Sequence, residues 1–379
     1  MASFCSTFLF TLLLTTSASA QPTFLIERIE VAGVERVSAG VIVYESRLSE
    51  GTAYSEQELS AANDRLRRLP FVLDATFALQ KGSARDRYVL VITVNEARPL
   101  FYDLDLVPLY LLEDAYRVST TNGAVLGARF FAGARNAFHF GGFAKDSPRP
   151  FTNDLILFQA GYTRYGVFGT GALVTLAINQ TTSTGSFQPE VVVALPLSGN
   201  QTMTLLYKTS ETSLERERVI EARWSVNSTN HPFFPTRGLV ISAGPIVSLA
   251  DGERRPVFTE TVPFHSRAYA LEGELKRYWE IDDRWSMGAE LIAGGANIDQ
   301  EIGSDLTEFT QAYGEGTLRL ARSLSSTAQA QSRLELTLRT AAIGSDLHQR
   351  DRDVLTELSL SWSRRNAWGA LRFGAGFAW

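Results

Sequence analysis

The sequence predicts a small α+β domain of β-α-α-β-β order, followed by an all-β antiparallel barrel that spans a membrane. Three observations lead there. An export signal opens the chain, helical hydrophobic spacing is confined to the segment before residue 100, and the chain from about residue 120 onward alternates with period two. With 379 residues there is room for more than one domain. The formal charge of −5 carries no basic excess, which argues against nucleic acid as a partner. Hydrophobic residues make up 45% and charged residues 20%, values that an ordinary soluble protein shares with a barrel of alternating faces.

Residues 1–20 read as a secretory signal peptide. Phe8 to Leu14 give a short apolar stretch, and Ala18-Ser19-Ala20 forms a cleavage site ahead of Gln21. The segment before the stretch has neither Lys nor Arg, and the stretch is too short to anchor the chain as a spanning helix. Cys5, the one cysteine, precedes it, so the mature chain has no thiol, as suits an oxidising compartment. After Gln21 no apolar run reaches half of the ~20 residues that a transmembrane helix requires.

Residues 21–98 form the first domain. Leu25, Ile29 and Val31 mark a strand ended by Gly33, and Val37, Val41, Tyr44 and Leu48 follow at helical spacing. Ser55 with Glu58 is a capping box, ahead of a stripe of Leu59, Ala62, Leu66 and Leu69 that Pro70 stops. In the strand from Val72 to Gln80, Leu73, Ala75, Phe77 and Leu79 alternate with Asp74 and Thr76, as in an edge strand with one wet face. The strand from Tyr88 to Val94 is apolar on both faces, which predicts the sheet centre. The run Ile29-Glu30-Val31-Ala32-Gly33, then Gly51-Thr52-Ala53-Tyr54, Leu66…Leu69-Pro70-Phe71 and Val94-Asn95-Glu96 resembles a POTRA domain. Such modules precede the barrels of the outer-membrane assembly superfamily typified by BamA and TamA.

Residues 99–379 carry the barrel. Leu334, Leu336 and Leu338 alternate with Arg333, Glu335, Thr337 and Arg339; Leu358, Leu360 and Trp362 alternate with Glu357, Ser359, Ser361 and Ser363. Trp285 to Leu291 and Tyr269 to Leu275 repeat the pattern. A soluble sandwich would alternate in the same way. Segments of ten residues or more, the export signal, and Trp224, Tyr278, Trp279, Trp285, Trp362 and Trp368 near segment ends favour the membrane barrel and its aromatic girdle. The closing stretch with Arg372, Gly374, Phe377 and Trp379 resembles the C-terminal insertion signal of bacterial outer-membrane proteins. Phe234-Pro235-Thr236-Arg237-Gly238 resembles the Phe-Pro-Thr-x-Gly turn of the BamA-type family. That family also has an Arg-Gly tip on a long lumen loop; the corresponding segment, Asn297 to Gln311, contains no Arg-Gly. The segments predict 12–16 strands, with 16 implied by the resemblance. From the Pro235-Thr236 turn onward, alternating short turns with long loops gives an odd number, which the even-number rule for bacterial barrels attributes to a merged or missed strand.

No enzyme is expected. His139, His231, His265 and His348 are scattered without metal-ligand spacing, and neither a nucleophile elbow nor a phosphate loop appears, so no cofactor or metal is expected. Strand parity points Arg223, Glu272, Glu274, Glu290, Arg319, Arg333, Glu335 and Glu357 into the lumen as a charge network. The resemblance implies a protein of the Gram-negative outer membrane, with its POTRA domain in the periplasm. Such a protein assists insertion or translocation of polypeptides through a lateral seam of its barrel. The strand around Leu73, Thr76 and Phe77 would take client chains by β-augmentation. Outer-membrane lipid and periplasmic accessory proteins are the other implied partners. A passive channel with an anchor domain is the alternative.

Overall fold

A computed structural model describes residues 22–378, apart from 68, 70, 107–108, 114–116, 122, 133–134, 146–155, 168–171, 182–186, 198–199, 212–214, 232–233, 255–260, 327–329 and 346–352. Ala18, Ala20 and Gln21 of the expected cleavage site, Pro70, His348 and Trp379 lie outside the described residues.

The chain begins as a module of β1 (Thr23–Ala32), α1 (Ala39–Ser46), β2 (Thr52–Ser55), α2 (Glu56–Arg67), β3 (Val72–Lys81) and β4 (Arg87–Glu96). Its sheet has the order β2-β1-β4-β3, with β1 and β4 parallel and the other two pairs antiparallel. The doubly apolar β4 is central and buries Leu90, Ile92 and Val94, whereas β3 is an edge. At the start of α2 the Ser55 hydroxyl accepts from the Glu58 N–H (3.3 Å) while the Glu58 carboxylate accepts from the Ser55 N–H (2.8 Å). Such a cap contributes about 1 kcal/mol. Leu59, Ala62 and Leu66 then pack on Ile26, Ile42, Leu90 and Ile92. Each large apolar side chain buried there stabilises the fold by roughly 1.5–3 kcal/mol.

Two details differ from the sequence reading. Ile42 takes the inward place on α1 and Tyr44 faces solvent, because α1 is short and Arg47 leaves it in the left-handed region. Residues 52–55 form the additional strand β2, entered through Gly51 at φ 77°. Four residues are too few to show alternation.

The barrel is built from β5 (Leu100–Leu106), β6 (Leu109–Glu113), β7 (Arg117–Thr121), β8 (Gly123–Ala132), β9 (Asn136–Lys145), β10 (Ile156–Val167), β11 (Ala172–Thr181), β12 (Phe187–Pro196), β13 (Gln201–Glu211) and β14 (Glu215–Asn227). It continues through β15 (Gly238–Arg254), β16 (Val262–Glu280), β17 (Trp285–Ile302), β18 (Asp305–Ser326), β19 (Ala330–Ser345), β20 (Asp353–Asn366) and β21 (Gly369–Ala378). Both β5 and β6 pair with β21, while β5 also pairs with β8 and β6 with β7. Thus β5 and β6 belong to one wall strand, β7 and β8 to another, and the closed barrel has 15 strands. This corrects both the even-number expectation and the 16 implied by the resemblance. With an odd count the first and last strands must run the same way, and β21 closes on β5 and β6 in parallel.

A ten-residue strand such as β8 or β12 rises about 34 Å along its axis, or roughly 24 Å across a membrane when tilted by 45°, close to the apolar band of such barrels. The strands β15 to β19 have 16 to 22 residues and continue past that band on the side away from the module. Asn297 to Gln311, expected as a lumen loop, therefore belongs to β17 and β18, joined by the two-residue turn Gly303-Ser304. Gly303 has φ 64°, the left-handed conformation that glycine supplies at the first position of such a turn.

Outward positions are apolar and bare: Leu126, Leu176, Ile220, Leu271, Leu318, Leu336 and Leu360 are all exposed. A band of this kind is stable against hydrocarbon and not against water. Among the described residues no helix is long and apolar enough to cross a membrane. Trp224, Trp279 and Trp368 are exposed near the module-side strand ends, and Trp362 stacks on Phe373 (centroids 6.3 Å). Tyr278, expected in this girdle, instead points inward and donates to Glu290 (2.6 Å); it follows the parity of Lys276, whereas Trp279 does not.

The module is seated on one mouth of the barrel, and their cores are continuous. Phe101, Phe131 and Ala137 of the barrel belong to the module's apolar cluster. Phe71 meets Tyr165 edge to face (6.3 Å), and the Arg36 guanidinium lies over Phe131 (5.3 Å). The linker is tied down as well: Arg98 N–H donates to Ala367 O (2.8 Å), and its guanidinium covers Trp368 at 4.4 Å.

Candidate functional site

Alternation along strands of known register fixes which side chains share the lumen. All eight charges that parity assigned to the interior face it. Glu272, only 1% exposed, accepts from Arg223 and from the Tyr313 hydroxyl in two short contacts, and Arg223 also pairs with Glu221 (2.6 Å). Ser242 bridges Arg223 and Glu274. Glu335 is in a short ion pair with Arg333 and lies near Arg319 (3.7 Å) and Arg372 (3.9 Å). Arg319 reaches Glu290 (3.0 Å), and Glu357 is held by Arg339 (2.9 Å), which also binds Glu315 (2.8 Å). The sequence reading left out Glu221, Glu315, Arg339 and Tyr313; the same parity rule finds them once the register is known.

The family turn lies between β14 and β15. The Asn230 side-chain carbonyl accepts from the Thr236 and Arg237 N–H groups, and its amide donates to the Thr236 hydroxyl (2.9 Å). Gly238 has φ 116°, and a Cβ there would lie 2.6 Å from the Thr229 Cα, so only glycine fits where β15 begins. Phe234 stacks on His231 (5.9 Å) and lies under the Arg333 guanidinium (5.7 Å), while Pro235 O accepts from Arg333 (3.5 Å). The turn therefore braces the lumen network from the module side. His231 is buried there, and its pKa is pushed down to about 3, first by burial and then by Arg365, Arg67 and Arg333. His139 lines the lumen cavity that Phe234 also borders, and His265 pairs with Asp251 on the far side (2.9 Å).

Arg372, Gly374 and Phe377 lie on β21. Phe377 is exposed outward, whereas Arg372 turns inward and donates to the Ser361 hydroxyl (3.2 Å). Because β21 runs parallel to β5, it leads away from the module. Its seam pairs Gly369↔Tyr102 to Phe373↔Leu106 with β5 and, in the same register, Gly376↔Leu109 to Ala378↔Leu111 with β6.

The module's edge strand is only partly free. Arg365 of β20 donates to the carbonyls of Val72 and Leu73 (3.3 and 3.4 Å), so Leu73 is docked on the barrel and not available at the edge. Ala75 N–H donates to Asp74 Oδ1 (2.9 Å), and Ala75 O accepts from Arg67 Nε (3.0 Å). Ala75 thus turns its backbone groups away from β4. By the two-residue period Phe77 and Leu79 do the same, whereas Thr76 turns its groups toward β4, opposite Thr93. The open stretch is Phe77 to Lys81, not Leu73 to Thr76.

No protein-family profile matches this chain, and none of the curated proteins does. Among solved structures, it is similar to the BamA of Haemophilus ducreyi lacking POTRA domains 1–3, at 10% identity, over 93% of this chain and 80% of that one, with a TM-score of 0.32.

Proposed function

We propose that this is an outer-membrane barrel whose periplasmic module is a POTRA domain, and that together they assist insertion or translocation of polypeptides. The observation that carries the reading is the pairing of a docking edge with a weak wall. The outward backbone groups of Phe77 and Leu79 form an unpaired row of the kind to which an extended chain adds as a further strand. The module bearing that row is seated on the barrel where β5 enters the parallel seam with β21. Parallel pairing is slightly weaker per residue than antiparallel pairing, and among the described pairs of the wall this seam is the parallel one. A client held at the module is therefore beside the part of the wall that opens at least cost. A passive channel is disfavoured by the same arrangement, since the module covers the mouth through which solutes would pass.

Proline tests this. Leu79→Pro removes an outward N–H, which an edge strand tolerates. The expected outcome is a folded, inserted barrel that no longer supports assembly of other outer-membrane proteins. Val91→Pro in the central β4 should instead lower protein levels. The readouts are protease resistance of the module, barrel insertion and the outer-membrane proteome. An unchanged proteome in Leu79→Pro, with an altered one on deletion of the whole protein, sinks edge docking; no change even on deletion favours the channel.

A further inference from the structure

The outward positions beside the closing seam are almost free of charge. On β19 they are the even-numbered residues from Ala330 to Gly344, on β20 those from Val354 to Asn366, and on β21 the odd-numbered ones from Gly369 to Phe377. Leu336, Leu360 and Phe377 are exposed among them. Arg364 is the one charged residue in the three sets. It is exposed two residues before the module-side end of β20, between its register partners Ser332 and Leu371.

A second cation stands just beyond that strand end. Arg98 N–H is fixed to Ala367 O (2.8 Å), and its guanidinium lies 4.4 Å over the ring of Trp368, which is 57% exposed. Among the described residues neither Arg98 nor Arg364 has a carboxylate within ion-pair reach. On β5 the register sets Asp103 and Asp105 opposite Ala370 and Arg372, at the inward parity, and Tyr102 and Leu104 opposite Gly369 and Leu371. Tyr102 is exposed as well, and Trp362 stacks on Phe373 one outward row farther into the apolar band (6.3 Å). A guanidinium held over an exposed indole at the edge of such a band suits a lipid headgroup. The indole takes the interfacial depth, and the weakly hydrated guanidinium offers its planar fork of donors to a phosphate.

We propose that the module-side rim of the seam binds the phosphate of an anionic phospholipid in the adjoining leaflet, through Arg98 and Arg364. The cations stand on the outside of the wall among exposed apolar side chains, where a soluble anion finds no enclosure and a lipid finds a surface for its chains. A bound lipid ties the linker to β20 and fills the module-side end of the seam. The inference needs the wall to span a membrane and does not depend on what the module takes up. A similar pair, Arg322 over Trp285 (5.5 Å), serves as a contrast. There the turn from Glu280 to Trp285 carries Asp282 and Asp283, and Asp282 accepts from the Trp285 N–H (2.7 Å), so carboxylates already face that cation and oppose an anionic headgroup.

The test is native mass spectrometry of the full-length protein in a non-ionic detergent, with palmitoyl-oleoyl phosphatidylglycerol and, separately, with phosphatidylcholine of the same chains. The first phosphatidylglycerol is expected to bind at least about fivefold more tightly than the first phosphatidylcholine, with the preference lost in Arg98→Gln/Arg364→Gln and kept in Arg322→Gln. A second measurement needs no variant. In phosphatidylcholine vesicles, phosphatidylglycerol with brominated chains should quench tryptophan fluorescence more than brominated phosphatidylcholine at the same mole fraction, and sodium chloride should shrink the difference. Equal binding and equal quenching by the two lipids overturn the site. So does a preference that survives in a double variant still migrating as a folded barrel, or one that is lost in Arg322→Gln instead.

Discussion

Glu272 is the most enclosed charge described in the lumen, and its neighbours show how a wall of strands tolerates it. Arg223 comes from β14, two strands away, and Tyr313 from β18, so one carboxylate joins the wall across five strands. Removing one partner of such a group leaves the others desolvated and unmatched, at a cost of about 3–5 kcal/mol. Glu272→Ala is accordingly expected to lower barrel stability by that amount, read as a shift of the urea midpoint in lipid vesicles. Arg223 keeps Glu221, which places the loss at the lower end of the range. Arg28→Ala, which breaks the solvent-exposed Arg28–Glu30 pair on the module, should change stability by less than about 0.5 kcal/mol. The eight charges first assigned to the lumen were legible because each adjoins at least one apolar residue in a stretch that alternates. Arg365 was not, because it lies one residue from a strand end and its partners are carbonyls of a different domain, which alternation does not reveal.

At the scale of elements, the turn between β14 and β15 joins three parts of the molecule: its own hairpin, the lumen network through Arg333, and the module through His231 and β3. His231 is kept neutral by burial and by Arg365 on β20, Arg67 on α2 and Arg333 on β19, with a folded pKa of about 3 against about 6.5 when exposed. Between these values the unfolded or undocked state binds the proton and the docked state does not. Docking is therefore fully favourable above about pH 6.5 and weakens as pH falls toward 3. Limited proteolysis of the linker around Arg98 should accelerate on acidification through that window, and His231→Gln should flatten the response. The turn was visible in the sequence as Phe234-Pro235-Thr236-Arg237-Gly238, but its role was not, since the bracing contacts come from residues about 100 or more positions away. Similar reasoning explains the edge strand. Alternation identified β3, yet which of its backbone groups point outward depends on a bulge between Val72 and Asp74 and on the Arg67–Asp74 pair (2.9 Å), so the open positions are Phe77 and Leu79.

At the scale of the whole molecule, closure is the weak point. Every other described neighbouring pair in the barrel is antiparallel, with β17 and β18 in register from Trp285↔Arg322 to Ile302↔Asp305. Among the described pairs the seam alone is parallel, a consequence of an odd number of strands. Turn spacing in the sequence implied that odd number, and the rule that bacterial barrels close evenly concealed it. If polypeptides enter the membrane here, fixing the seam should stop function without harming the fold. Leu104 and Leu371 are register partners across it, at a parity opposite to that of the inward-turned Arg372. Cysteines at both, in a chain whose native cysteine precedes the expected cleavage site, can be joined by oxidation or by a short bis-maleimide. Cross-linked protein should remain inserted and heat-modifiable but lose support for outer-membrane assembly, with activity recovered on reduction of the disulfide. Cysteines at Leu360 and Ala375, partners within the antiparallel β20–β21 pair, control for the chemistry and should leave activity intact. Full activity with the seam closed would mean that clients use the module's edge without passing through the wall.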